Sequence, residues 1–137
     1  MNNVKTNVNF EIFTATGTRG NRSFISIFPK GFRFSSKFCQ ENKISQYNYV
    51  KLVFSKNENR IIIGFYFTNN KSLRRDVFKI ITIEKNKVIS AKSFLDAYQI
   101  DTQKYTGQYI PSEYYDSEIG KLFVITLTMW SQPKTRI

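Results

Sequence analysis

The side chains in this sequence best suited to chemistry are arginines and lysines in polar, glycine-containing loops. Residues 14–22, TATGTRGNR, carry Arg19 and Arg22 among glycines and threonines. Guanidinium groups and backbone amides in such a loop can bind phosphate oxygens. The loop has neither the GxxxxGK[ST] nor the GxGxxG pattern, so it does not predict a nucleotide-binding loop. An ordinary mobile hairpin loop is an equal alternative.

A second basic segment, residues 69–75 (NNKSLRR), contains Lys71, Arg74 and Arg75 and is the densest positive charge in the chain. Its arginine pair could contact two backbone phosphates or enter a groove of nucleic acid. The alternative is a solvated linker between two halves of the protein. The concentration of charge favours contact with phosphates.

Aromatic and basic residues alternate in residues 28–38, FPKGFRFSSKF, which carry Lys30, Arg33 and Lys37. Single-strand binders stack bases on such rings and neutralise phosphates with such cations. Strand spacing puts Lys30 on the same face as most of the rings and Arg33 on the other, so core packing is favoured for most of the rings. Phe32 is the candidate for an exposed ring that stacks on a base. The predicted nucleic-acid contacts are Arg19, Arg22, Lys30, Phe32, Arg33, Lys37, Lys71, Arg74 and Arg75.

Catalytic equipment is not recognisable in the sequence. The chain has no histidine, which removes the usual general base and the commonest metal ligand, and its one cysteine, Cys39, has no imidazole to activate it. The acidic residues lack a nuclease-like D…ExK pattern; residues 84–87 are the nearest fragment and predict a turn. We predict no catalytic residue, no metal site, no cofactor and no enzymatic activity.

Length and charge narrow the class of protein further. A chain of 137 residues predicts a single domain, residues 1–137, and a net charge of +11 favours polyanionic partners. Positive charge is concentrated in residues 1–37 and 56–92, whereas residues 93–120 are acidic. The alternative is codon bias in an AT-rich gene, with incidental lysines. The unpaired cysteine and the lack of a long apolar run predict a cytoplasmic protein without a signal peptide or membrane partner.

The secondary structure is predicted to be mostly β, or α+β, because β-branched and aromatic residues cluster in short runs between polar turns. The two runs in residues 49–67 form the clearest hairpin, joined by the five-residue link SKNEN. Two short helices interrupt the strands, one starting at Ser35 or Ser36 and the other at Ser90 or Ser93. Predicted strands cover residues 8–14, 24–28, 31–34, 49–54, 60–67, 77–84, 87–89, 105–110 and 121–129.

The two halves of the chain resemble each other at a shift of 56 positions, which places Ile25 and Ile27 on Ile81 and Ile83. We interpret this as a duplicated strand-strand-helix-strand-strand unit, residues 24–67 and 80–129, in an antiparallel barrel-like sheet. The second copy then needs an insertion at residues 111–117. Residues 130–137 are predicted to be a short basic tail.

Residues 31–65, GFRFSSKFCQENKISQYNYVKLVFSKNENRIIIGF, resemble one half of a swapped-hairpin AbrB-like domain, and residues 87–127 repeat the resemblance loosely. In that family a strand leads through a cap into a short helix, closed here by Ile44, and then into a hairpin. Ser35 stands where the family usually has proline. The resemblance implies binding of duplex DNA through basic residues of a paired β-layer, with Arg33 and Lys37 as the candidates.

The sequence therefore predicts a non-enzymatic protein that binds nucleic acid through a basic surface. Interleaved aromatic residues favour single strands, the AbrB-like resemblance favours duplex DNA, and RNA stays open. The alternative is a protein-interaction or assembly module of a mobile element, in which the charge is incidental. A homodimer is compatible with a sheet that has several edges.

Overall fold

The computed structural model describes residues 22–70 and 76–128. The strand predicted at residues 8–14 and the tail predicted at residues 130–137 lie outside the described residues. The predicted class is confirmed: the described residues are mostly β and form two short helices and two antiparallel five-stranded sheets.

The helices are α1 (Ser36–Glu41) and α2 (Lys92–Ala97), and a 3₁₀ turn spans Ile44–Gln46. The strands, in chain order, are β1 (Ile25–Phe28), β2 (Gly31–Phe34), β3 (Tyr49–Asn57), β4 (Arg60–Thr68), β5 (Val77–Lys79), β6 (Ile81–Ile83), β7 (Asn86–Ser90), β8 (Gly107–Tyr109), β9 (Ser112–Asp116) and β10 (Gly120–Leu127).

The strands form two open antiparallel layers. The order β6-β7-β2-β1-β8 makes one sheet, which we call the short-strand sheet, and the order β9-β10-β4-β3-β5 makes the other, the long-strand sheet. Neither layer closes into a barrel among the described residues. β5 and β6 follow each other in the chain but lie in different sheets, and the same holds for β8 and β9. Short connections therefore link the edges of the two sheets at both sides.

Aromatic rings fill the space between the layers. Phe32 and Phe34 of β2 meet Phe65 of β4 edge to face, with ring centroids 5.1 and 5.5 Å apart. Phe38 of α1 continues the cluster to Phe123 of β10 at 5.0 Å. Each such pair contributes about 0.5–1.5 kcal/mol beyond the burial of its area. The aromatic core therefore determines which face of each strand points inward.

The hairpin β3–β4 is longer and tighter than the sequence predicted. The ladder continues to the pair Asn57–Arg60, so only Glu58 and Asn59 form the turn. Glu58 has a φ of 58°, the left-handed conformation that two-residue hairpin turns require. The predicted five-residue link was wrong because Ser55 and the two residues after it pair across the strands.

The prediction that a serine caps each helix is confirmed only for α1. Ser35 is 3% exposed, and its Oγ accepts hydrogen bonds from the backbone N–H groups of Phe24 at 3.0 Å and Phe38 at 3.2 Å. The N-cap of α2 is Ala91, which has no side chain to accept such a bond. Its backbone N–H instead donates to the carbonyl oxygen of Lys30, across the sheet.

Both copies begin with two strands and a short helix, and α1 and α2 begin 56 positions apart. After the helix, the first copy has a 3₁₀ turn and two strands, whereas the second has three strands. In the two sheets, β2 pairs with β7 and β4 pairs with β10, so corresponding strands meet at the centre of each layer. Descent from a duplicated unit remains a prediction. Residues 111–117, predicted as an insertion in the second copy, include β9, which pairs along its whole length with β10.

The isoleucines that the shift of 56 positions aligns, such as Ile25 and Ile81, differ in their exposure to solvent. Ile25 is fully buried, whereas Ile81 is 47% exposed. The turn between β6 and β7 falls at Glu84 and Lys85, one residue earlier than the shift of 56 requires, and Ile81 pairs with Val88. A slip of one residue turns every side chain of a strand to its other face.

We predict that Ser35→Ala lowers the free energy of unfolding by about 1–3 kcal/mol, because two backbone N–H groups lose their acceptor. Ser36→Ala is the matched control, and we expect it to cost less than about 0.5 kcal/mol. Urea unfolding of both variants measures the difference. Equal effects of the two substitutions would contradict this role of Ser35.

Candidate nucleic-acid interface

The predicted contacts divide into those that the structure describes and those that it does not. Arg19, Lys71, Arg74 and Arg75 lie outside the described residues. Among the others, Arg22 is exposed just before β1, and Lys30 is exposed in the turn after it. They therefore stand at opposite ends of β1 and do not form one cluster.

Phe32 is not an exposed base-stacking ring, and this prediction is wrong. Its side chain is 0% exposed and packs edge to face against Phe65. The alternation of the strand buries Phe32 and turns its neighbour Arg33 outward. The ring therefore stabilises the core and cannot reach a nucleotide.

Arg33 and Lys37 are both accessible, but their surroundings differ. Arg33 lies on the outer face of the short-strand sheet, between its cross-strand neighbours Ser26 and Val88. Lys37 lies on α1, with its Nζ atom 3.7 Å from a carboxylate oxygen of Glu41. Exposed pairs of this kind are weak, so Lys37 keeps most of its freedom to meet another anion.

The outer face of the long-strand sheet carries a second set of basic and aromatic residues. Along β3, Val50 and Leu52 are buried, while Tyr49 and Lys51 are half-buried on the opposite face. Across the strands, Lys51 pairs with Tyr66 of β4, and Tyr49 pairs with Lys79 of β5. We call these four residues, Tyr49, Lys51, Tyr66 and Lys79, the Lys-Tyr patch.

Sequence reasoning missed the Lys-Tyr patch because its members are neighbours only through strand pairing. Directly opposed residues of an antiparallel pair have Cβ atoms about 4.5–5.5 Å apart and point to the same face. The alternation of residues 49–52 was a visible signal for an outward Tyr49 and Lys51. The partners Tyr66 and Lys79 required the register of β3 with two other strands.

Both flanks of the basic segment 71–75 are fixed beside this patch. The Asn69 side chain accepts a hydrogen bond from the Asn48 N–H at 2.8 Å and donates one to the Gln46 carbonyl oxygen at 3.0 Å. On the other flank, the Leu52 N–H donates to the Asp76 carbonyl oxygen at 2.9 Å. The described residues on either side of this segment, Asn69 and Asp76, therefore lie along the first half of β3, near Tyr49 and Lys51.

Tyr109 and Tyr47 are two further tyrosines whose rings could stack on bases, but both make contacts within the protein. The hydroxyl of Tyr109 donates to the carbonyl oxygens of Tyr105 and Thr128, and burial raises the pKa of its phenol. The ring of Tyr47 is half-buried and tilted against Phe67, with centroids 6.2 Å apart. These contacts hold Tyr109 and Tyr47 against the core, whereas Tyr49 and Tyr66 are half-buried on the outer face of the long-strand sheet.

A groove of about 950 Å³ lies on the same sheet, toward β9 and β10. Val53, Gly64 and Val124 contribute to its apolar surface, and its charged lining residues, Glu113 and Asp116, are acidic. Hydrogen bonds from the backbone N–H groups that follow Asp116 lower the pKa of its carboxyl, which keeps it ionised. This part of the sheet repels phosphates.

Gly64 keeps that groove open. A Cβ atom at this position would lie 2.7 Å from Cγ2 of Val53 and 3.3 Å from Cδ1 of Leu122. Side chains from the two strands that flank β4 meet above the glycine, so the shape of the groove depends on the missing side chain.

Cys39 is not poised for nucleophilic chemistry. Burial raises the pKa of its thiol to about 11, and nearby Lys87 only partly offsets this effect. Within residues 22–70 and 76–128, no group of three or more His, Cys, Asp or Glu side chains is arranged to hold a metal ion. No helix in this described part is long and apolar enough to span a membrane.

Comparisons with known proteins give no relative: no family model, no curated protein and no solved structure matches this chain.

We predict that Cys39 reacts with iodoacetamide at pH 8 about a hundredfold more slowly in the folded protein than in urea, because its thiolate population is that much smaller. The free thiol ionises near pH 9.0 when unfolded and near 11 when folded. Folding stability should therefore fall as the pH rises above 9.0. Equal alkylation rates in the two states would show that the thiol is not protected.

Proposed function

We propose that this protein binds nucleic acid without catalysis, through the Lys-Tyr patch and the adjoining basic segment 71–75. The observation that carries the proposal is the pairing of Lys51 with Tyr66 and of Lys79 with Tyr49 on one sheet face. Cations and aromatic rings in alternation are the features by which single-strand binders hold phosphates and stack bases. The net charge of +11 supports the same class of partner.

The patch has the composition that nucleic-acid binding requires. Lysines neutralise phosphates and release counterions, which gives affinity without sequence preference. Tyrosine rings add about 1–3 kcal/mol per stacked base. Because Tyr49 and Tyr66 are held at their cross-strand positions by β3 and β4, they lose less side-chain entropy on binding than rings in a loop.

Single-stranded DNA or RNA is the favoured target, because the rings on this face suit unpaired bases. Duplex DNA is the second candidate, supported by the resemblance to AbrB-like domains, whose candidate contacts Arg33 and Lys37 are accessible. These two residues lie outside the Lys-Tyr patch, so substitutions in each region distinguish the two targets. With a single cysteine the chain cannot form an internal disulfide, which accords with a reducing, cytoplasmic location.

The test is fluorescence anisotropy of the purified protein with labelled single-stranded DNA, duplex DNA and RNA across a salt series. Binding whose affinity falls linearly with salt on a log-log plot supports the proposal, and the preferred strand identifies the target. Absence of binding to all three at about 100 mM salt would overturn it, since several phosphate contacts give measurable affinity there.

We predict that Lys51→Ala combined with Lys79→Ala weakens binding to single-stranded DNA and reduces the salt slope by about 1.4, because each neutralised phosphate contributes about 0.7 to the slope. The matched control is Lys92→Ala combined with Lys104→Ala, which removes the same charge from α2 and from the loop that follows it. We expect the control to keep the wild-type slope. If both double variants lower the slope equally, only net charge matters and the Lys-Tyr patch is not the site.

We also predict that Arg74→Ala combined with Arg75→Ala weakens binding and reduces the salt slope, because the flanks of this segment adjoin the patch. The protein-interaction alternative predicts no change in either quantity. Anisotropy titrations at two salt concentrations measure both, and unfolding in urea verifies that the variant retains its stability.

A further inference from the structure

We infer that copies of this protein associate head to tail, with edge strand β6 of one copy pairing with edge strand β9 of the next. Among residues 22–70 and 76–128, β6 is an edge strand of the short-strand sheet and β9 is an edge strand of the long-strand sheet. Each edge presents backbone N–H and C=O groups that can extend a sheet with another chain.

Exposed apolar side chains are concentrated on these two edges. Ile81 and Ile83 of β6 are 47% and 55% exposed, and Tyr114 and Tyr115 of β9 are 57% and 69% exposed. The other strongly exposed large side chains of the described part are Ile110, next to β9, and Tyr98, which is stacked on Phe54. Free edges with apolar side chains are the places where sheets join.

The charges around the two edges are complementary. Lys79 and Lys85 flank β6 and outnumber Glu84, which directly follows the strand. Glu113 and Asp116 belong to β9 and Glu118 follows it, and they outnumber Lys121, whose Nζ lies 3.4 Å from a Glu113 carboxylate oxygen. A second copy therefore meets opposite charge when β6 approaches β9. Two β6 edges would bring lysines together, and two β9 edges would bring carboxylates together, so the mixed contact is favoured over either symmetric one.

The groove beside β9 provides room for the incoming side chains. Ile81 pairs with Val88 on the outer face of its sheet, and Tyr114 lines the groove on the outer face of its own. When the two outer faces are continuous across the contact, Ile81 and Ile83 lie on the same side as Tyr114. Because the two edges differ, the contact is heterologous and produces open chains or closed rings.

The first test is sedimentation velocity of the wild-type protein without nucleic acid, from low micromolar to several hundred micromolar protein. We expect the mass to rise above the monomer value of 16.1 kDa as the concentration increases. The interface consists of two short strands, so association should be weak and concentration-dependent. A constant monomer mass over the whole range would overturn the inference.

The second test uses complementary charge variants at exposed positions. Ile81→Glu with Ile83→Glu should abolish association by placing carboxylates opposite the acidic β9. Tyr114→Lys with Tyr115→Lys should abolish it by placing lysines opposite the basic flanks of β6. An equimolar mixture of the two variants should associate again, because the new charges attract each other across the contact.

Tyr98→Lys is the matched control, an exposed aromatic residue away from both edges, and should associate like the wild type. Wild-type association of either edge variant, or failure of the mixture to associate, would overturn the pairing of β6 with β9. Anisotropy at low protein concentration tests nucleic-acid binding separately. Tyr114→Lys with Tyr115→Lys lies at the edge of the long-strand sheet opposite Lys79, so anisotropy of this variant separates failure of one proposal from failure of the other. Ile81→Glu with Ile83→Glu adds carboxylates next to Lys79 and serves only the association test.

Discussion

The inward packing of the phenylalanines on β2 and β4 is the constraint on which the rest of the structure depends. Phe32 and Phe34 meet Phe65 between the layers, and this contact fixes the face that each central strand turns to the core. Because side chains alternate along a strand, the same contact turns Arg33 and Tyr66 outward. The surface proposed to bind nucleic acid is therefore set by core packing through the register of the strands, and a substitution that shifts this register would move both together.

Two tight turns show how strongly one residue of register affects the surface. Glu58 and Glu84 both adopt a φ of 58° at the first position of a two-residue turn. At Glu58 the turn keeps Ile61 and Ile63 in the core. At Glu84 the turn leaves Ile81 and Ile83 facing solvent at the edge of the short-strand sheet. Similar turn geometry therefore accompanies a buried hairpin in one half of the chain and an exposed apolar edge in the other. The position of each turn relative to its isoleucines determines whether these side chains face the core or the solvent.

The sequence was sufficient for the fold class and for the features encoded locally. The cap at Ser35 followed from a serine before a short helix, and most strands followed from runs of β-branched and aromatic residues. Features that depend on long-range pairing could not be predicted in this way. The alternation around Phe32 was compatible with either face being buried, because the aromatic core that decides it comes from the distant strand β4. Prediction of the Lys-Tyr patch required the register of three strands, β3, β4 and β5. The strand β9 was missed because its sequence is polar and acidic, and its pairing with β10 does not show in the local sequence pattern.

The charge distribution explains how one small sheet could serve two kinds of contact. β9 and β5 are the opposite edges of the long-strand sheet, and four strand spacings separate them by about 19 Å. This distance is about twice the Debye length at physiological salt, so the carboxylates near β9 scarcely weaken the attraction of Lys79 for phosphates. The apolar groove lies toward the acidic edge, and the Lys-Tyr patch lies toward the basic edge. Within one copy the two charged regions are therefore separate. Lys79 belongs to the Lys-Tyr patch and also flanks β6, so in the proposed contact the β9 strand of a second copy lies next to the patch. A strand bound along the Lys-Tyr patch of one copy would meet the next copy through the protein contact, which makes cooperative binding the expected consequence where both proposals hold.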